Sequence, residues 1–112
     1  MPESGHTWRK AFKGEPIEAA HVRLWTRGRV KHPDAPPIAN ELYVAVLKAG
    51  ADVITMTLST AGSRIRITAE GAEPLPVTFS HGPGWILVNG LAHLSGITTD
   101  ECGIWAQLGI ER

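Results

Sequence analysis

The amino-acid sequence predicts an α+β fold, a two-layer sandwich in which helices cover one face of a mostly antiparallel, mixed sheet. Three observations support this prediction. The centre of the chain alternates apolar and polar residues, which is typical of strands with one wet face. Apolar residues recur at helical spacing on both sides of that centre. The 112 residues, 43% hydrophobic and 20% charged, suit one globular domain with a single core.

The N-terminal half predicts one strand and two helices. Residues 1–6 are polar and are expected to form a flexible N-terminus, with a single domain over 7–112. Residues 7–12 predict a short edge strand, and a helix is expected over about 16–30. Its apolar stripe consists of Ile17, Ala20, His21, Leu24, Trp25 and Gly28. The proline pair Pro36-Pro37 opens a second helix, in which the stripe is Ile38, Leu42, Ala45 or Val46, and Ala49, with Gly50 as the C-cap.

The second half predicts a β-hairpin, a third helix and a last strand. Ile54, Met56 and Leu58 alternate with polar residues, as do Ile65, Ile67 and Ala69 beyond a short glycine-containing loop. The third helix is expected from about Trp85 to Leu94, with Gly96 as its stop. Alternation of Ile104, Ala106, Leu108 and Ile110 predicts a terminal strand. The predicted order is therefore β-α-α-β-β-α-β.

Gly82 and Gly84 come directly before the third predicted helix. A glycine loop that opens a helix can bind a phosphate, because backbone N–H groups and the positive end of the helix dipole point at the ligand. The same residues also serve as ordinary turn chemistry before a helix. Both interpretations fit these residues.

Composition excludes several classes of function. Eleven basic and eleven acidic residues cancel, which disfavours nucleic-acid binding through a broad basic field. The N-terminal third is locally basic. Its basic residues form either a solvated helix face or a small basic face. Cys102 is the single cysteine, which fits a reducing cytoplasm and predicts an inert thiol. The five histidines show no metal-ligand spacing, and no segment is long enough to span a membrane.

Four segments follow one another along the chain, at residues 40–50, 67–71, 82–88 and 102–108. In that order they resemble the N-box, the first glycine box, the second glycine box and the closing strand of the GHKL (Bergerat-fold) histidine-kinase-like ATPase superfamily, and most closely of its small actinobacterial anti-sigma-factor-type proteins. They occur in the family's order within residues 8–110. The resemblance implies a minimal Bergerat-like fold with an ATP site assembled from these four segments.

The chain departs from the family at the residues that would hold Mg-ATP. Ala45 stands in place of the Mg²⁺-binding asparagine, and a methyl group supplies none of the oxygen ligands that Mg²⁺ requires. Glu70 replaces the adenine-binding aspartate, Pro83 an arginine, and Gly103 the threonine of the last strand. The resemblance therefore implies a degenerate site. Its remnants are Glu41, Ala45, Glu70, Gly71, Gly82, Gly84 and Gly103.

We therefore expect a regulatory protein that acts by protein–protein binding in transcriptional control, with a vestigial Glu41 and without cofactor or metal. The resemblance implies a sigma factor or an antagonist as its partner. The alternative is a functional ATP-binding serine kinase of the anti-sigma-factor type, which would use ATP and Mg²⁺ through what remains of the pocket.

Two tryptophans are candidate interface residues. Trp105 falls out of register with the apolar side of its strand, so it either covers the rim of the sheet or anchors a partner. Trp8 lies on the predicted edge strand, where unpaired backbone groups invite a further strand. A homodimer through this edge is a further expectation.

Overall fold

The computed structural model describes residues 5–75, 88, 90–92 and 94–109. Within these residues the elements are β1 (Gly5–Lys13), α1 (Glu18–Arg29), α2 (Ala35–Lys48), β2 (Val53–Ala61), β3 (Arg64–Glu70), β4 (Leu94–Ile97) and β5 (Gly103–Gly109).

The five strands form one sheet in the order β1-β2-β3-β5-β4. All four pairings are antiparallel, so the mixed character that the sequence predicts is not seen among the described strands. Helix α2 packs against β2, β3 and β5, while α1 packs against α2 and β1. The predicted α+β sandwich with helices on one face of the sheet is thereby confirmed, and the other face is not covered by α1 or α2.

The predicted β-hairpin is formed by β2 and β3. Its apolar residues face the helices, with Met56 opposite Ala69 and Leu58 opposite Ile67, all fully buried. Gly62 and Ser63 make the turn, and only Gly62 has a positive φ, of 59°. Positive φ at the first central residue alone is the pattern of a type II′ turn, whose twist matches that of the strands.

Helix α2 supplies most of the helical side of the core. Its buried residues are Ala35, Pro36, Ile38, Ala39, Leu42, Tyr43 and Val46. This confirms the predicted stripe and assigns the fully buried position to Val46, whereas Ala45 is half-buried. The C-cap is Ala49, one residue before the predicted Gly50, and Gly50 follows it with a positive φ of 94°, a conformation that glycine adopts readily after a helix.

Helix α1 buries the side opposite to the one predicted. Val22 and Thr26 are its buried residues, and the Thr26 hydroxyl donates to the Val22 carbonyl at 2.8 Å. From the predicted stripe only Trp25 turns inward, where its ring meets Phe12 edge-on at 5.7 Å between centroids. Ile17 and Leu24 are 70% and 59% exposed. Helix α1 lies over the β1 side of the sheet and beside α2. The side of the helix that carries Val22 and Thr26 faces these neighbours and is therefore buried.

The remaining differences concern the ends of elements. Strand β1 begins at Gly5, two residues before the predicted start. Val88, Gly90 and Leu91 are helical, in agreement with a third helix, and the Ala92 N–H donates to the Val88 carbonyl at 2.7 Å. The prediction that this helix ends at Leu94 and stops at Gly96 is wrong, because both residues belong to strand β4. Strand β5 confirms the predicted terminal strand as far as Gly109, while Ile110 lies outside the described residues.

Candidate functional site

Helix α2 carries two of the predicted site residues, Glu41 and Ala45, and Glu41 belongs to a hydrogen-bond network between the helices. The Asn40 side-chain amide donates to the Glu41 carboxylate at 3.1 Å. The same side chain accepts a hydrogen bond from the Arg23 guanidinium, at 2.6 Å, through its oxygen. Glu41 therefore takes part in a chain of contacts that ties α2 to α1. Ala45, one turn further along α2, packs its methyl group against the core.

Glycines 71 and 103 allow the backbone to pack closely at the end of β3. A Cβ atom on Gly71 would lie 2.7 Å from the Ala51 Cβ and 2.9 Å from a Val46 methyl carbon. The Gly71 N–H donates to the Cys102 carbonyl at 3.0 Å. On Gly103 a Cβ would lie 2.6 Å from the Ala69 carbonyl oxygen. Both glycines are required by the fold itself, and their presence needs no ligand to explain it.

Glu70 lies on the face of the sheet that faces away from α2. Its neighbour Ala69 is fully buried, and successive side chains of a strand point to opposite faces. The Glu70 carboxylate is 4.0 Å from the Arg9 guanidinium of β1, on the same outward face. The sheet therefore separates the carboxylates of Glu70 and Glu41. The structure brings Glu70, Gly71 and Gly103 together but does not place Glu70 beside Glu41.

Negative charge gathers around Cys102 at this end of the sheet. Burial raises the pKa of the Cys102 thiol, and the nearby carboxylates of Asp100, Glu73, Glu101 and Glu70 raise it further. A thiol with a raised pKa stays protonated at neutral pH and is a poor nucleophile, in accordance with the inert role predicted for it. Within the described ranges, no three His, Cys, Asp or Glu side chains are grouped so that they could hold a metal ion.

A short turn between β4 and β5 fixes this acidic end. The Thr98 hydroxyl lies 2.6 Å from an Asp100 carboxylate oxygen, and the Cys102 N–H donates to the same oxygen at 3.0 Å. These two hydrogen bonds, that of Thr98 being the stronger influence, lower the pKa of Asp100. Glu101 takes a positive φ of 63° within the turn. An ionised carboxylate therefore caps the turn under neutral conditions.

Trp105 lies on the outward face of the sheet, as predicted, and is packed there. A Cβ on Gly96 would come within 3.0–3.1 Å of three indole atoms, so the ring lies against the β4 backbone. The Arg66 guanidinium sits 4.1 Å from the ring centroid, in a cation–π contact. These contacts favour the first of the two interpretations, in which Trp105 covers the rim of the sheet.

Trp8 occupies a different environment on the edge strand β1. It pairs with Leu58 and packs partly against the core, so it lies on the helix side of the sheet. Its ring stacks on His6 at 5.6 Å between centroids. The outer edge of β1 has no strand partner among the described residues, and Trp8 therefore stays a candidate interface residue.

The other two predicted site residues, Gly82 and Gly84, lie outside the described residues. Two cavities lined by described residues are found away from the site residues discussed above. One, of about 690 Å³, lies between the β2–β3 turn, the start of α2 and the end of β5. The other, of about 500 Å³, is lined by Arg27, Val30, Lys31, His32, Pro33, Pro36 and Pro37.

The sequence does not predict that Ile17 and Leu24 face solvent, or that Arg23 contacts Asn40. The signal for this exposure was present in the helix, since Arg23 and Arg27 flank Leu24 and mark that side as solvated.

Comparison with protein families and with curated proteins finds no matching family model and no matching relative. Neither α1 nor α2 has the length and apolar character of a bilayer-spanning segment, and the described residues contain no other candidate.

Proposed function

We propose that this chain is a non-catalytic regulatory protein of the anti-sigma, histidine-kinase-like ATPase type, and that it acts in the cytoplasm by binding another protein of transcriptional control. The sequence motifs supply the family hypothesis. The observation that carries the non-catalytic part is the separation of the two remaining carboxylates, because Glu41 lies on the helix side of the sheet and Glu70 pairs with Arg9 on the outward side.

The surroundings of each site residue support the same proposal. Ala45 offers no oxygen ligand for Mg²⁺. Phosphoryl transfer depends almost wholly on a positioned metal and positioned donors. The carboxylates around Cys102 give the end of the sheet a negative field, which opposes the approach of a nucleoside triphosphate. Regulation through protein contacts requires neither a bound metal nor positioned donors to a phosphate.

Affinity capture from the native cytosol tests the proposed function. The tagged full-length chain is expected to retain a sigma factor or an antagonist of one, identified by mass spectrometry, and the purified partner is expected to bind it directly. Recovery of no such protein, with the chain monomeric and inert in solution, would contradict the proposal.

Calorimetry with Mg-ATP separates this proposal from the serine-kinase alternative. We expect no heat of binding at millimolar nucleotide. Micromolar binding that is lost in Glu41→Gln would establish the alternative. Asp52→Asn is the matched control, since it removes one exposed carboxylate outside the motif segments and away from the carboxylates around Cys102.

A further inference from the structure

Helix α1 presents an apolar stripe to solvent. The outer stripe consists of the N-cap residue Ile17 and of Ala20, Leu24 and Gly28 of the helix, spaced three, four and four residues apart. All four are exposed, with Ile17 and Leu24 at 70% and 59%. They lie on the side of the helix opposite Val22 and Thr26, which are its buried residues. Two large aliphatic side chains with two small residues between and beyond them form the kind of face that packs against a second helix.

The charge around the outer stripe is positive. Arg23, Arg27 and Arg29 belong to α1 and Lys31 follows it, against one acidic residue in the helix, Glu18. Glu18 is already engaged, because its carboxylate lies 3.1 Å from His21 Nδ1. Arg27 and Arg29 have no ion-pair or hydrogen-bond partner within the described residues. By helical spacing Arg27 lies beside Leu24, which is three residues before it, whereas Arg29 lies toward the Val22 side of the helix. The outer stripe is therefore bordered by Arg27, a basic group without a partner among the described residues.

The groove of about 500 Å³ continues this surface beyond the end of α1. Arg27 and Lys31 both line it, together with His32 and three prolines. Pro33, Pro36 and Pro37 hold its wall, since proline fixes φ and limits movement of the backbone. A partner that covers the outer stripe would thus meet a rigid, basic recess at the C-terminal end of the helix.

We propose that the outer stripe and this groove form the docking surface for an acidic amphipathic helix of a partner protein. The partner's aliphatic residues would cover Ile17 and Leu24, and its flanking carboxylates would face Arg27 and Lys31. A second copy of this chain does not fit, because pairing two α1 helices would bring together two faces with the same excess of positive charge. The inference rests on the proposed function, for which it names the surface and the chemistry of the partner.

A synthetic peptide tests this docking surface directly. The probe is a capped helix of about 16 residues with leucines at i, i+4, i+7 and i+11 and glutamates on both flanks. Its affinity for the full-length chain is measured by fluorescence anisotropy. The control peptide carries lysine in place of every glutamate. We expect binding of the acidic peptide that weakens with added salt, and at least tenfold weaker binding of the lysine peptide.

Matched variants of the chain locate the binding face. Leu24→Ser and Arg27→Glu are each expected to weaken acidic-peptide binding at least tenfold. Val53→Ser and Arg64→Glu are the controls, since they change an exposed aliphatic residue and an exposed arginine away from α1. Because Leu24 and Val53 are both exposed, circular dichroism should show all variants folded.

Several results would overturn the inference. These are no binding of the acidic peptide, equal binding by Leu24→Ser, or equal competition by a single-stranded oligonucleotide, which would indicate a general polyanion surface. Self-association of the chain that Leu24→Ser abolishes would assign the stripe to a second copy. If cytosolic capture recovers a sigma factor or antagonist equally well with Leu24→Ser, the proposed function stands and the assigned surface is wrong.

Discussion

At the scale of single residues, Tyr43 joins the connection after β1 to the core. Its ring is fully buried and its hydroxyl contacts the backbone of the β1–α1 connection. The hydroxyl bonds the Lys13 carbonyl, lies 2.9 Å from the Glu15 carbonyl and accepts from the Glu15 N–H at 3.2 Å. One side chain of α2 thus fixes the path by which the chain leaves the edge strand and enters α1.

Tyr43→Phe is expected to lower the free energy of unfolding by about 1–2 kcal/mol, because it leaves these partly buried backbone groups without their partner. Urea denaturation measures the change. The ring is retained, so the slope of the transition should stay the same. An unchanged midpoint would contradict the structural role given to the hydroxyl.

Burial also raises the pKa of Tyr43 above its ordinary value of 10.0, and the charges of Glu18 and Glu15 act in the same direction. The unfolded chain therefore ionises its tyrosine at a lower pH than the folded chain. The contribution to stability is complete below pH 10 and is lost as pH rises through the folded pKa. Since Tyr43 is the single tyrosine, near-ultraviolet absorbance follows its ionisation directly. Titration of the folded chain at the pH of a free tyrosine would contradict this expectation.

Gly71 provides a second residue-scale prediction. Gly71→Ala is expected to destabilise the fold by about 1–3 kcal/mol, because the new methyl group would overlap Ala51 and Val46. Gly28→Ala is the matched control. A Cβ there meets nothing within 4 Å, and alanine favours a helix, so stability should rise by about 0.5–1 kcal/mol. Thermal denaturation of both variants checks the opposite signs.

At the scale of elements, the sequence predicts secondary structure most accurately where the apolar pattern extends over many residues. The hairpin is confirmed because two runs of strict alternation leave one choice for the buried face. Helix α2 is confirmed because its apolar residues are concentrated on one side. Strand β4 is not predicted, because its four residues, Leu94–Ile97, are too few to show an alternating pattern. Its glycine is instead typical of the end of a helix.

Helix α1 shows a different limit of sequence reasoning. Ile17 and Leu24 form one apolar line and Val22 and Trp25 belong to another, so periodicity alone allows two inward faces. Contact with Phe12 and α2 decides between them. The candidate site shows the same limit, because motif order places Glu41 and Glu70 in one pocket, whereas the pleat of β3 turns Glu70 to the other side of the sheet.

The turn between β4 and β5 gives an element-scale prediction. Asp100→Asn removes the carboxylate that accepts from Thr98 and Cys102 and should lower the melting temperature at neutral pH. Because the pKa of Asp100 is lowered from 3.8, its contribution is present above that pH and is lost as pH falls through the folded pKa. The melting temperatures of variant and parent should therefore converge in strong acid. A constant difference at every pH would show that the charge is not what stabilises the turn.

At the scale of the whole molecule, opposite charges collect in different places. Carboxylates gather at the end of the sheet around Cys102, whereas α1 and the residues after it carry an excess of arginine and lysine. Although the formal net charge is zero, the protein therefore has two regions of opposite charge. This separation connects the two proposals, in which the acidic end would oppose an anionic nucleotide and the basic end would face an acidic partner.

The order of the sheet also predicts how stability is distributed. Among the described strands, β2, β3 and β5 are each paired on both sides, whereas β1 and β4 lie at the edges. Backbone N–H groups open most rarely where neighbours and helices cover them. Hydrogen exchange followed by mass spectrometry should find the slowest amides in β2, β3, β5 and the buried side of α2, with faster exchange in β4.

The same measurement joins the stability of α1 to its proposed role. Among the described elements this helix packs chiefly on β1 and α2, and its outer stripe is exposed, so its amides should exchange faster than those of α2 in the free chain. Addition of the acidic peptide stabilises the state that binds it and should slow exchange in α1. Strand β4, which lies at the far edge of the sheet, serves as the internal control and should not change. Protection that appears in β4, or in no element, would contradict docking on α1.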